Sequence, residues 1–279
     1  MSKDSILFVF EGPKGENQIA TNLVKVFADQ GLQVIKCAYG GDIYQLYQSL
    51  NDEENEFVDL LGLIKERSKS NSKLEKFNHE ILNCDTRSIS QIYIFFDYDG
   101  HDKGANAKHI TGDDKIIEML DYFDNETENG KLFISYPMVE ALKDICDYES
   151  FKDHAVKCKK KNCVYLTDCE ECKSCIQDFD ENHYKKQVSN RCLPILKDFT
   201  CYNLDTWKSL LYAHLCKMNY IVNDVYEYPL TMESQQSVFE NQQKKYIDKK
   251  CPEVAVLSAF PLFVLDFYGL NRTKDIIGC

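Results

Sequence analysis

Positive charge is scarce in this sequence. Its 279 residues carry 33 Lys and Arg against 45 Asp and Glu, a formal net charge of −12. Neutralising phosphates needs a basic surface, so a free-standing, sequence-independent nucleic-acid binder is disfavoured. An enzyme that meets nucleic acid through a metal-filled acidic site is still allowed, as is one whose partner protein supplies the basic surface. Long apolar runs are missing too. No stretch approaches the roughly 20 apolar residues of a membrane span. The N-terminal run Ile6–Phe10 is too short for a signal-peptide core and ends in Glu11. The expectation is therefore a cytoplasmic protein that does not enter a membrane. In that compartment the thirteen cysteines are expected to be reduced, structural or metal-bound rather than disulfide-paired, and their odd number agrees. There is no internal repeat and no heptad pattern long enough for a coiled coil. Glu11-Gly-Pro-Lys-Gly15 lacks the Gly-Lys-Ser/Thr ending of a phosphate loop, so ATP binding is not expected there.

What is present is an ordinary globular composition, 44% hydrophobic and 28% charged. The first half alternates strands and helices. Ser5–Phe10, Gln33–Tyr39, Gln91–Phe96 and Lys131–Ser135 read as buried strands, each closed by Gly, Pro or Asp. Helical spacing marks Glu16–Gln30, a short helix from Asp42 to Leu50, helices with a polar bend near Ser68–Ser72, Asp113–Asp124, and a start at Met138–Cys146. Nearly continuous apolar strands alternating with helices predict a parallel sheet covered on both faces, an α/β fold. The second half is polar and Cys-rich over 147–200. It reads as helical over 204–219 and 231–250, and as strongly apolar over Val254–Tyr268, a core helix or a docking surface. The expected division is a catalytic domain over 1–146 and a mainly helical C-terminal region over 147–279, carrying a Cys-rich insert at about 154–175.

In parallel sheets, ligands bind outside the carboxyl ends of the strands. Glu11 follows the first strand, and Asp97-Tyr98-Asp99-Gly100 follows the third, so connectivity alone brings three acids to one sheet edge. Mg²⁺ takes one or two carboxylates and leaves its other positions to water or substrate phosphate. Two aspartates one residue apart can share an ion, and a third carboxylate can hold a second ion or move a proton. Strand-terminal acids also serve as turn residues and helix caps.

The pattern strand–Glu11-Gly12, then strand–Asp97-x-Asp99, resembles the Toprim family. The likeness covers roughly residues 5–146 and is nearest to Toprim-like nucleases, the OLD-type and phage-defence effectors. It implies proton transfer and metal contact for Glu11 and Mg²⁺ (or Mn²⁺) ligation for Asp97 and Asp99. Glu16, Asp102 and Glu140 are candidates for additional acidic positions. Glu16 reads equally as a first-turn helix residue favoured by the dipole, and Asp102 as a solvated loop acid. Lys14 is a candidate for contact with a substrate phosphate, or a solvated turn lysine; His101 is a candidate substrate contact, or an exposed loop histidine.

Cys158, Cys163, Cys169, Cys172 and Cys175 fall within eighteen residues, with His154 just before them. Two Cys-x₂-Cys steps suggest a structural Zn²⁺ on four of these, although the spacing is not that of a standard zinc ribbon; the alternative is a loop of reduced thiols. Lys157–Lys161 is the strongest basic run, a nucleic-acid contact or a solvated face.

The function expected from the resemblance is a Mg²⁺-dependent endonuclease acting on DNA or RNA, tRNA included. It would be an effector in bacterial anti-phage or abortive-infection defence, delivered by a partner such as an ATPase sensor, with a homo-oligomer left open. The alternative is a non-catalytic Toprim-like regulatory or scaffold subunit of an ATPase-containing complex. A topoisomerase would need a large DNA-gate domain. A primase would need an N-terminal zinc ribbon and a basic face.

Overall fold

Apolar runs that end in glycine or aspartate become the central strands of the computed structural model, which describes residues 5–27, 33–51, 59–98, 113–157, 181–249 and 252–279. In chain order the first elements are β1 (Ser5–Phe10), α1 (Gly15–Phe27), β2 (Gln33–Ala38), α2 (Ile43–Leu50), α3 (Leu60–Lys69), α4 (Ser72–Phe77), α5 (His79–Asn83) and β3 (Ile89–Asp97). Next come α6 (Asp113–Tyr122), β4 (Asp124–Asn125), β5 (Gly130–Ser135), β6 (Ala155–Lys157) and β7 (Glu253–Ala255). Five strands form one sheet in the order β2-β1-β3-β5-β4. β1 runs parallel to β2 and to β3, and β4 is antiparallel to β5. The fold is α/β, a mostly parallel sheet flanked by helices, as the alternation predicts.

Cα packing divides the chain into two compact units. The first holds 1–97, 118–133 and 199–201; the second holds 98–117, 134–198 and 202–279. In the first unit every residue of β1 is buried. Phe8, Phe10, Tyr93, Phe95 and Phe133 share one sheet face. Phe8 and Phe95 meet edge-on at 5.2 Å, and Phe95 stacks on Phe133 at 5.9 Å, geometries that suit the ring quadrupoles. α1 turns Ile19, Ala20 and Leu23 inward. Asp42 caps α2 by accepting the Gln45 N–H at 2.9 Å, as the sequence suggests.

In the second unit the helices Leu204–Asn223 and Ala259–Ile277 pack together, and β6 pairs antiparallel with β7. Two expectations are corrected. Met138–Cys146 is not an α-helix but a 3₁₀ turn over Val139–Lys143, because Asp144 leaves helical geometry (ψ 57°). The helix expected over 231–250 is confined to Gln235–Gln242 with a π turn to Ile247, since Ser234 caps it by accepting the Ser237 N–H. Of the two readings of the apolar C-terminal stretch, core helix or docking surface, Val254–Leu265 agrees with core, being buried throughout. Among the described residues no helix is long and apolar enough to cross a membrane.

Candidate functional site

The β1–β3 register ends with Phe10 beside Phe95. Glu11 therefore lies one residue, and Asp97 two, beyond the same rung, at the carboxyl edge of two adjacent parallel strands. A continued pleat would send these side chains to opposite faces. The backbone breaks that alternation: the carbonyl of Phe10 accepts the Tyr39 N–H (2.8 Å) and the next carbonyl, of Glu11, accepts the Gly40 N–H (2.9 Å). Successive carbonyls of a regular strand point opposite ways, so Glu11 has left the pleat and belongs to the turn. Its Oε2 is shielded from solvent, while Asp97 is half-buried.

Glu16 is buried in the first turn of α1, where the helix dipole favours a carboxylate. Lys14 is exposed. Glu140 lies in the second unit, on the Val139–Lys143 turn, with Oε2 shielded from solvent. Asp99, His101, Asp102 and all five cysteines of the 158–175 cluster lie outside the described residues. Among the described residues, no three His, Cys, Asp or Glu side chains converge as metal ligands. Glu11 and Asp97 are thus brought to one edge, while Glu140 belongs to the other unit.

The second unit holds a polar cluster that the sequence reading passed over. Asp144 is fully buried. It accepts Arg191 Nε at 2.6 Å and Nη2 at 2.5 Å, the Tyr184 hydroxyl at 2.9 Å, and lies 3.0 Å from His154 Nε2. Burial alone would raise its carboxyl, but the hydrogen bonds from His154 and Arg191 outweigh it and bring it down to about 2. Burial, reinforced by Asp144, pushes the Tyr184 hydroxyl well up.

Beside this cluster Lys217 is fully buried and donates to the carbonyl of Phe151 (2.8 Å) and to that of His154, with Nζ 4.2 Å from the Phe151 ring centroid. Burial lowers its amine to about 7, against the opposing pull of Asp144 and Asp153. A neutral amine still has two N–H bonds, enough for both carbonyls. His214 receives the Ser258 N–H at Nδ1 (3.3 Å), so its proton is on Nε2, which faces the Leu142 carbonyl at 3.3 Å. Burial lowers this imidazole to about 3. The sequence did carry a signal for these residues: each is a titratable side chain inside an apolar pattern, Asp144 between Leu142 and Ile145, His214 and Lys217 among Leu211, Leu215 and Met218. Their hydrogen bonds to one another and to the surrounding backbone make a structural network.

Compared with family models, with curated proteins and with solved structures, the chain finds no match.

Proposed function

We propose that this chain is a Mg²⁺- or Mn²⁺-dependent endonuclease of the Toprim kind, hydrolysing phosphodiester bonds in DNA or RNA, tRNA included. The observation that carries the reading is the placement of Glu11 and Asp97 at the carboxyl edge of adjacent parallel strands, where α/β sheets bind their ligands. The donor set suits the metal: carboxylate oxygens are the hard ligands that Mg²⁺ and Mn²⁺ prefer. In this proposal Asp97 and Asp99 hold the ion and Glu11 completes the site. When bound, the ion polarises the phosphate and acidifies a water. Glu11 takes the proton as the water oxygen bonds to phosphorus, and the proton returns to the leaving ester oxygen as its bond to phosphorus breaks. The proposal extends to a structural Zn²⁺ on four of Cys158, Cys163, Cys169, Cys172 and Cys175. It also includes a cytoplasmic role in anti-phage defence with an ATPase sensor as partner, in keeping with an acidic chain that needs help to reach its substrate.

The test is cleavage of tRNA, single-stranded DNA and duplex DNA in Mg²⁺ or Mn²⁺. Wild type is expected to cut at least one; Glu11→Gln and Asp97→Asn are expected to lose on the order of 10²-fold or more in rate. Asp97→Asn should also weaken Mn²⁺ binding by titration. If wild type and Glu11→Gln behave alike on every substrate, the hydrolase reading fails and the regulatory-subunit reading replaces it.

A further inference from the structure

We propose that Arg67 is a phosphate clamp, holding the backbone of a nucleic acid at the Glu11 edge of the sheet; this deepens the phosphodiesterase reading and rests on it. Four arginines occur in the chain. Arg87 and Arg191 are held by the carboxylates of Asp85 and Asp144. Arg67 is held by neutral acceptors. Nη1 donates to the Tyr39 hydroxyl (3.2 Å), and Nη2 donates to the Gly40 carbonyl (3.1 Å) and to Gln45 Oε1 (3.4 Å). Its guanidinium carbon stands 4.2 Å from the Tyr39 ring centroid. Among the described residues no carboxylate is in ion-pair range of it. In a chain of net charge −12, a half-exposed guanidinium held in place by neutral acceptors is a site for an anion. Three of its five N–H bonds are engaged, leaving Nε–H and one Nη1–H, and guanidinium N–H groups bind phosphate oxygens through charge-assisted hydrogen bonds.

The position is tied to the candidate centre through one residue. Gly40 donates its N–H to the Glu11 carbonyl and accepts Arg67 Nη2 at its own carbonyl. The surroundings are shaped for the guanidinium. A Cβ at Gly41 would come within 2.8 Å of Arg67 Nη2 and 2.7 Å of Gln45 Oε1. Asp42 takes the Gln45 side-chain N–H at 2.8 Å, which orients the opposite end of that amide, Oε1, toward Arg67. A preformed cation joined through Gly40 to the Glu11 backbone fits, on the phosphodiesterase reading, a substrate that is itself a phosphodiester. A carboxylate ligand would give the guanidinium the same pairing but would bring nothing for the acids to hydrolyse.

The test uses the full chain and short fluorescein-labelled oligo-dT and oligo-rU, with affinity read by anisotropy in EDTA over a salt series and cleavage read separately in Mn²⁺. Arg67→Ala should weaken binding about tenfold or more and reduce the slope of log affinity against log salt by about one, while Mn²⁺ titration remains that of wild type. Arg67→Lys should restore the salt slope but not the full affinity, because one point charge replaces the fork. Gly41→Ala, which keeps the charge and displaces it, should raise KM. If Arg67→Ala does not fold by circular dichroism, Arg67→Lys and Gly41→Ala carry the test. A wild type that cleaves while the folded variants keep its affinity, salt slope and KM overturns the clamp alone. A wild type that neither binds nor cleaves overturns the phosphodiesterase reading and the clamp with it. The oligo-dT and oligo-rU arms separate DNA from RNA as the source of the phosphate.

Discussion

Asp144 shows how much one carboxylate can organise. It gathers a guanidinium, a phenol and an imidazole, and removing one partner from a buried ion pair leaves the others uncompensated. Asp144→Asn should cost on the order of 3 kcal/mol, read as a lower urea midpoint at unchanged slope. Arg191 is partly exposed, which keeps the figure at the lower end of that range. A substitution without effect would mean that Arg191, Tyr184 and His154 find equal partners elsewhere. These residues were hard to read from sequence because a lone acid beside apolar neighbours looks like the solvated edge of a helix. Only the three-dimensional pairing distinguishes the two. Glu11 and Asp97 were legible because a strand end fixes where a residue goes regardless of distant contacts. Arg67 was not legible: its helical spacing places it on α3, and nothing local says that its head reaches Gly40.

At the scale of elements, two buried carboxamides do the work of a neighbouring strand. Asn78 gives its side-chain N–H to the Ala38 carbonyl (2.8 Å), accepts the Ala38 N–H (2.8 Å) and also bonds Ser68 (2.7 Å). Gln242 pairs with Ala255 in the same two-bond manner, at 2.8 and 3.0 Å. Both satisfy backbone groups at the open side of a strand, in β2 and in β7, and so discourage another chain from pairing there. Asn78→Ala should cost on the order of 3 kcal/mol, since it strands a buried N–H and C=O. Asn78→Asp should be at least as damaging, because a carboxylate cannot donate to the Ala38 carbonyl. Chemical denaturation checks both, and an Asn78→Ala chain as stable as wild type would remove the strand-mimic account. Gly40 is required for a different reason. Its φ of +76° and a Leu74 methyl that would stand 2.6 Å from a Cβ make Gly40→Ala unfavourable by about 1–2 kcal/mol or more.

The same scale shows where pattern reading worked. β1, β2, β3 and β5 were legible because each is a nearly continuous apolar run with a sharp stop. β6 and β7 were missed because three-residue strands carry no periodicity. The hairpin partner β4 was missed, its first residue assigned to the preceding helix, since Asp124 and Asn125 have no strand propensity and are placed by pairing with Lys131 and Gly130.

For the whole molecule, the buried titratable groups set a pH profile. The Asp144 carboxyl lies below its ordinary 3.8, so its stabilisation is present above that value and lost as pH falls toward about 2. His214 and Lys217 are lowered from 6.5 and 10.5 to about 3 and about 7. In each window the unfolded chain binds the extra proton, so stability rises with pH through both. Above about 9 the sign reverses for the thiols. Burial raises Cys37, and raises Cys216 to about 11, so the unfolded chain loses protons that the fold retains. Stability should therefore climb from acid to about pH 8–9 and then flatten or fall. Lys217→Met should abolish the rise between pH 7 and 9 and leave the acid limb intact. Urea midpoints across the range decide it, and a wild-type profile that falls from pH 7 to 9 contradicts this account.

The Asp144 cluster also ties together parts of the chain that are distant in sequence. Its partners come from both sides of the stretch 158–180, with His154 before it and Tyr184 and Arg191 after it. Bringing side chains together from distant parts of a sequence costs a loop-closure entropy that grows only logarithmically, by about 0.6 kcal/mol for each doubling of separation, so the distance between them adds little. The carboxylate of Asp144 thus acts as a clasp, and Asp144→Asn should release the His154 and Arg191 sides of the chain together rather than one at a time.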